Sequence, residues 1–91
     1  MIVDTIETKL TRALDPVALD IIDESHLHAG HAGARPEGET HFRVKVVSRA
    51  FDGKSRIDRQ RLVYQVLSEE MASRIHALTL MTLTPDEDSK A

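Results

Sequence analysis

Hydrophobic positions along the 91-residue chain fall into five patterned stretches separated by polar breaks. Ile2, Val3, Ile6, Leu10, Ala13 and Leu14 recur at helical spacing, which predicts an amphipathic helix with Glu7, Lys9 and Arg12 off the buried stripe. Pro16 restricts Asp15 and ends that helix. From Val17 to Glu24 the period changes to two, with Val17, Leu19 and Ile21 alternating with Ala18, Asp20 and Ile22 as in a strand. The next stretch, His26 to Gly38 (HLHAGHAGARPEG), keeps no period and holds three of the five histidines and three of the four glycines. It reads as a loop, long enough that a functional role is expected.

Alternation returns at Thr40, with Phe42, Val44 and Val46 on one face and His41, Arg43 and Lys45 on the other, exposed one. A second loop, Ser48 to Ser55, carries the Asp52-Gly53 turn signal, and Ser55 or Asp58 is placed to cap the helix that follows. In that helix Leu62, Val63, Val66, Leu67 and Met71 form the apolar stripe, with Arg59, Gln60, Glu69 and Glu70 off it and a break at Ser73-Arg74. A last strand runs from Ile75 to Leu83, with Leu78 and Leu80 opposite Thr79 and Met81. Pro85 stops it, and residues 86–91 read as a charged, solvated tail outside a domain of residues 1–85.

Helix, strand, strand, helix, strand is an αββαβ order. The first two strands pair antiparallel across the histidine loop, and the second helix is a crossover that sets the third strand parallel to the second. The expected fold is α+β, a two-layer sandwich with both helices on one face of a three-stranded mixed sheet.

Composition narrows the chemistry. Cysteine is absent, so disulfides, thiolate nucleophiles and thiolate metal cages built by this chain alone are excluded. No apolar run approaches the span of a membrane, and the first residues are unlike a targeting leader, so a soluble cytoplasmic protein is expected. No nucleophile stands beside a held acid–base pair, which points away from an enzyme. The formal charge of −3 excludes a uniformly basic chain.

Two candidate sites remain. His26, His28 and His31 lie in the first loop and His76 opens the last strand, so imidazoles from separate segments are placed to meet on one metal. His41 reads only as a neighbour of Arg43. Between residues 43 and 61, seven cations face two carboxylates, and Lys54, Arg56, Arg59 and Arg61 form a basic loop–helix surface for phosphates or an acidic partner. Phe51 is the sole aromatic of that segment and Gly53 stands alone, so neither base stacking nor a Gly-x-x-Gly clamp is supplied.

Five marks in order then carry a resemblance. They are Glu24-Ser25 before the first loop, Glu39-Thr40-His41-Phe42 after it, the Phe51-x-Gly53 turn, Arg61-Leu62-Val63-Tyr64 in the helix, and His76-Ala77-Leu78. Along nearly its whole length the chain resembles the BolA proteins. The resemblance implies a fold similar to class II KH domains and a non-enzymatic adaptor that pairs with a monothiol glutaredoxin around a bridging [2Fe–2S] cluster. The partner's cysteine and a glutathione thiol hold one side of that cluster. Carried over, His76 and His28 are the ligands on this side, with His26 and His31 as substitutes. Neutral imidazoles in place of thiolates imply a Rieske-like division of ligands and a raised potential.

The resemblance has departures. Gln60 stands where many members have histidine, and many members extend further at the C-terminus, so loss of a terminal helix is expected. A DNA-binding regulator using Lys54, Arg56, Arg59 and Arg61 is the alternative function, and zinc or copper binding by the histidine loop alone is a third. A homodimer of the isolated chain stays open.

Overall fold

The computed structural model describes residues 2–24 and 41–90. In chain order it contains α1 (Ile2–Leu14), β1 (Ala18–Asp23), β2 (His41–Val47), a 3-10 turn (Arg49–Phe51), α2 (Arg56–Val66), α3 (Ser68–Ser73), β3 (Ala77–Leu83) and α4 (Pro85–Lys90). The sheet order is β1-β2-β3, with β1 antiparallel and β3 parallel to the central strand. This is the expected α+β arrangement.

Each element forms for local reasons that then serve the core. α1 buries Ile2, Ile6, Leu10 and Leu14 at four-residue steps. It ends where Asp15 takes a left-handed φ of 43° ahead of Pro16, with the Asp15 amide donating to the Thr11 carbonyl at 3.1 Å. Phe42, Val44 and Val46 of β2 meet that stripe, and Phe51, Val63, Leu67 and Ile75 complete one apolar cluster. β1 contributes Leu19 and Ile21 to it, while Val17, which the alternation set beside them, is 60% exposed.

The segment after β2 is held by Ser48. Its buried hydroxyl donates to the Leu14 carbonyl at 2.6 Å and accepts from the Ala50 amide at 3.0 Å, tying the 3-10 turn to the end of α1. Asp52 (φ −57°, ψ 131°) and Gly53 (φ 75°) then make a type II turn closed by the Lys54 amide on the Phe51 carbonyl at 3.0 Å. Its third position requires positive φ, which explains glycine there. Of the two proposed caps, Ser55 is used, accepting from the Asp58 amide at 3.1 Å.

Three expectations are corrected. The second helix is two, because the backbone departs from helical values at Leu67 (φ −101°, ψ 21°) and α3 restarts after it. Glu70, read as lying off the apolar stripe, is buried because Lys9 of α1 reaches it at 2.8 Å. The hydrogen bond with Glu70 in turn raises the Lys9 pKa.

The third correction concerns the segment read as a solvated tail. Residues 85–90 are α4, whose start is a reciprocal capping box. The Thr84 amide donates to Glu87 Oε1 at 2.8 Å and the Glu87 amide donates to Thr84 Oγ1 at 3.2 Å. Pro85 opens the helix, at the position where a missing amide costs nothing. Arg59 also grips Glu87 through Nη1 at 2.6 Å and Nη2 at 3.3 Å, and Lys45 reaches Asp88 at 2.9 Å. The Arg59 hydrogen bond is the largest cause that pulls the Glu87 pKa down to about 2, followed by the Thr84 amide.

Replacing Ser48 by alanine leaves the Leu14 carbonyl and Ala50 amide without their partner; urea denaturation is expected to show a loss of about 1–3 kcal/mol. The lowered Glu87 pKa means its carboxylate stabilises the fold fully above the ordinary value of 4.5 and loses that contribution as pH falls toward about 2. Thermal unfolding of wild type and Glu87→Gln should therefore differ by a constant amount above about pH 5.5 and converge on acidification.

Candidate metal-binding rim and basic surface

The parallel register of β2 and β3 sets His41 opposite Ala77, so the residue just before β3 stands beside the first residue of β2. The His41 and His76 rings lie 5.1 Å apart, centroid to centroid, with planes tilted by 52°. Two imidazoles on one tetrahedral ion, with metal–nitrogen bonds of about 2.0–2.1 Å, have centroids roughly 5 Å apart. The observed spacing is that of two rings on a shared metal and equally that of ordinary tilted ring packing. His76 is exposed at the rim of the sheet, while His41 is 7% exposed.

This corrects the placing of His41 on an exposed face: the residue is buried. It does lie on the face of β2 opposite Phe42, but at the end of the central strand it is enclosed from both sides. β1 closes one flank, where the Glu24 amide donates to the His41 carbonyl at 2.8 Å, and His76 covers the other. Glu24 also pairs with Arg43 at 3.1 Å, two residues along the same face. The missed signal was present in the sequence, since a parallel pairing with histidine near the start of each strand brings the rings together. His26, His28 and His31 lie outside the described residues. Among the described residues no group of three or more His, Cys, Asp or Glu side chains converges as a metal site.

The cations of the basic surface differ in exposure. Lys54 and Arg56 are exposed, and Arg61 is 77% exposed at 3.7 Å from Asp58. Arg59 is different. Its side chain is 12% exposed, and beyond Glu87 it donates to the Lys54 carbonyl at 2.9 Å and the Thr82 carbonyl at 3.2 Å. Its guanidinium carbon lies 6.0 Å from the centre of the Phe51 ring. Phe51 itself is fully buried, so it offers no stacking platform.

No helix among the described residues is long and apolar enough to cross a membrane. The profile of the BolA-like protein family matches residues 10–87. The chain is 49% identical over 81 residues to "Protein BOLA1, chloroplastic" of Arabidopsis thaliana, covering 87% of this chain and 51% of that protein. It is 42% identical over 87 residues to "DNA-binding transcriptional regulator BolA" of Escherichia coli (strain K12), covering 96% of this chain and 79% of that protein. Among solved structures, the BolA domain of SufE1 from Arabidopsis thaliana superposes with a TM-score of 0.83 at 46% identity, covering 92% of each chain. The chain thus spans about half the length of the plant BOLA1 protein, whose name places that relative in the chloroplast. With matching profile, relatives and fold, this chain belongs to the BolA-like family.

Proposed function

We propose that this protein is a non-enzymatic adaptor that supplies imidazole ligands to a [2Fe–2S] cluster shared with a monothiol glutaredoxin and glutathione. The observation that carries this reading is the His41–His76 pair at the rim of the sheet, with one ring exposed and the spacing suited to one metal. His76 is the first ligand. His28 is the second by family resemblance, with His26 and His31 as its substitutes, and His41 stands within reach of the same ion.

The donor set fits the group. Imidazole is a good ligand for iron, and a chain with no cysteine leaves the thiolates to its partner. When bound, the cluster supplies a transferable or sensing iron–sulfur unit, with a potential raised by its neutral ligands. This chain's part is to hold two rings at a water-accessible rim, one of them fixed by strand register.

A second reading, a DNA-binding regulator, is favoured by the name of the Escherichia coli relative and by the exposed Lys54, Arg56 and Arg61. Arg59 serves that surface only if its bond to Glu87 is exchanged.

Reconstitution with a monothiol glutaredoxin, iron, sulfide and glutathione should give a mixed cluster whose circular dichroism differs from that of the glutaredoxin alone. His76→Ala should abolish or alter that signal; an unchanged spectrum rejects His76 as a ligand. His28→Ala and His41→Ala, measured side by side, identify the second ring as the one whose loss makes the cluster labile. For the DNA reading, log affinity should fall with log salt by roughly 0.9 per phosphate contact, and Arg56→Ala should flatten that slope by about one contact. A flat salt dependence in the wild type removes the second reading.

A further inference from the structure

The cations are not equally available, because α4 carries one acid to Arg59 of the basic surface and a second to Lys45 on the outer face of β2. Glu87 forms a two-pronged pair with Arg59 of α2, and the next residue, Asp88, pairs with Lys45 of β2 at 2.9 Å. One six-residue helix thus covers cations from two different elements. The Glu87 carboxylate sits on the guanidinium as a phosphate does, with two oxygens facing two N–H groups. Arg59 does not depend on Glu87 for its position, since the Lys54 and Thr82 carbonyls and the Phe51 ring also hold it. Release of Glu87 therefore leaves an ordered guanidinium beside the exposed Lys54 and Arg56.

We propose that α4 is an internal acidic competitor that occupies Arg59 and Lys45 and is displaced when the phosphate backbone of a nucleic acid binds the basic surface. This rests on the DNA-binding reading and deepens it. The two pairs differ in strength. Lys45 and Asp88 are partly exposed on both sides, at 37% and 34%, where ion pairs are weak and screened by salt. Glu87 instead meets an Arg59 side chain that is only 12% exposed, so its release needs a stronger anion. A helix this short has little stability once undocked. A duplex offers one negative charge per ~1.7 Å of axis, a density that a single carboxylate pair does not match. Three acids in succession, Asp86, Glu87 and Asp88, also lower the local field that would steer a polyanion inward.

The test compares wild type with Glu87→Gln/Asp88→Asn, using fluorescence anisotropy of a labelled DNA duplex across a salt series. The double variant is expected to bind about three- to tenfold tighter, the range spanned by losing one or two exposed pairs. Its salt slope should match that of the wild type, because the same phosphates are contacted once α4 is displaced. Addition of the duplex to wild type should shift the α4 amide resonances toward unfolded positions. Circular dichroism checks the fold, and Asp88→Asn alone, which keeps the capping carboxylate, should give an intermediate gain.

Equal binding by wild type and variant overturns the competitor role while leaving the basic surface as a DNA site. Binding by neither overturns both readings. Binding of an acidic peptide such as poly-glutamate in preference to DNA by the variant assigns the surface to a protein and overturns the proposal as stated.

Discussion

The parallel pairing of β2 with β3 fixes the register on which the candidate chemistry depends. Phe42, Val44 and Val46 are locked inward against α1 and the crossover helices, and a slip of one residue would turn that apolar set outward. With the register so constrained, His41 has to stand opposite Ala77, and His76 has to arrive beside it. The strand register thus brings the two rings to one end of the sheet. A site positioned by a packed strand is held more tightly than one carried wholly on a loop.

The same strands separate the two candidate surfaces. The imidazole pair lies at the starting ends of β2 and β3, whereas Arg59, Thr82 and α4 gather at the finishing end of β3. A seven-residue strand spans roughly 20 Å, beyond the reach of a direct contact and about two Debye lengths in physiological salt. A metal at one end and an anion at the other therefore meet different side chains. Any coupling between them has to pass through the sheet or through a partner large enough to touch both. α4 belongs to the second surface alone, and its capping box lets one glutamate serve both as helix cap and as the counter-ion of Arg59.

Much of this was legible in the residues. The four-residue steps of α1, the alternation of β2 and the Asp52-Gly53 turn are local signals, and local signals translate directly into backbone geometry. What escaped was non-local or concealed by charge. Glu70 reads as a surface residue until α1 brings Lys9 to it. Residues 86–91 look like a solvated tail because four of them are charged, although Thr84-Pro85-Asp86-Glu87 spells a capping box with proline at its first helical position. Arg59 counts as one cation among seven in the sequence, yet its neighbours make it mostly a structural strut. His41 was passed over because its face was judged one strand at a time. The family resemblance pointed to His76 together with His28, and only the register joins His76 to His41.

The central claim is that imidazole nitrogen from His76 completes an iron site begun by another protein's thiolates. Pulsed electron paramagnetic resonance of the reduced mixed complex, prepared with histidine labelled by nitrogen-15 in this chain only, tests it most directly. The account predicts strong hyperfine coupling from labelled imidazole nitrogen, weakened or lost in His76→Ala. A mixed cluster showing no coupling to this chain's histidines would contradict it.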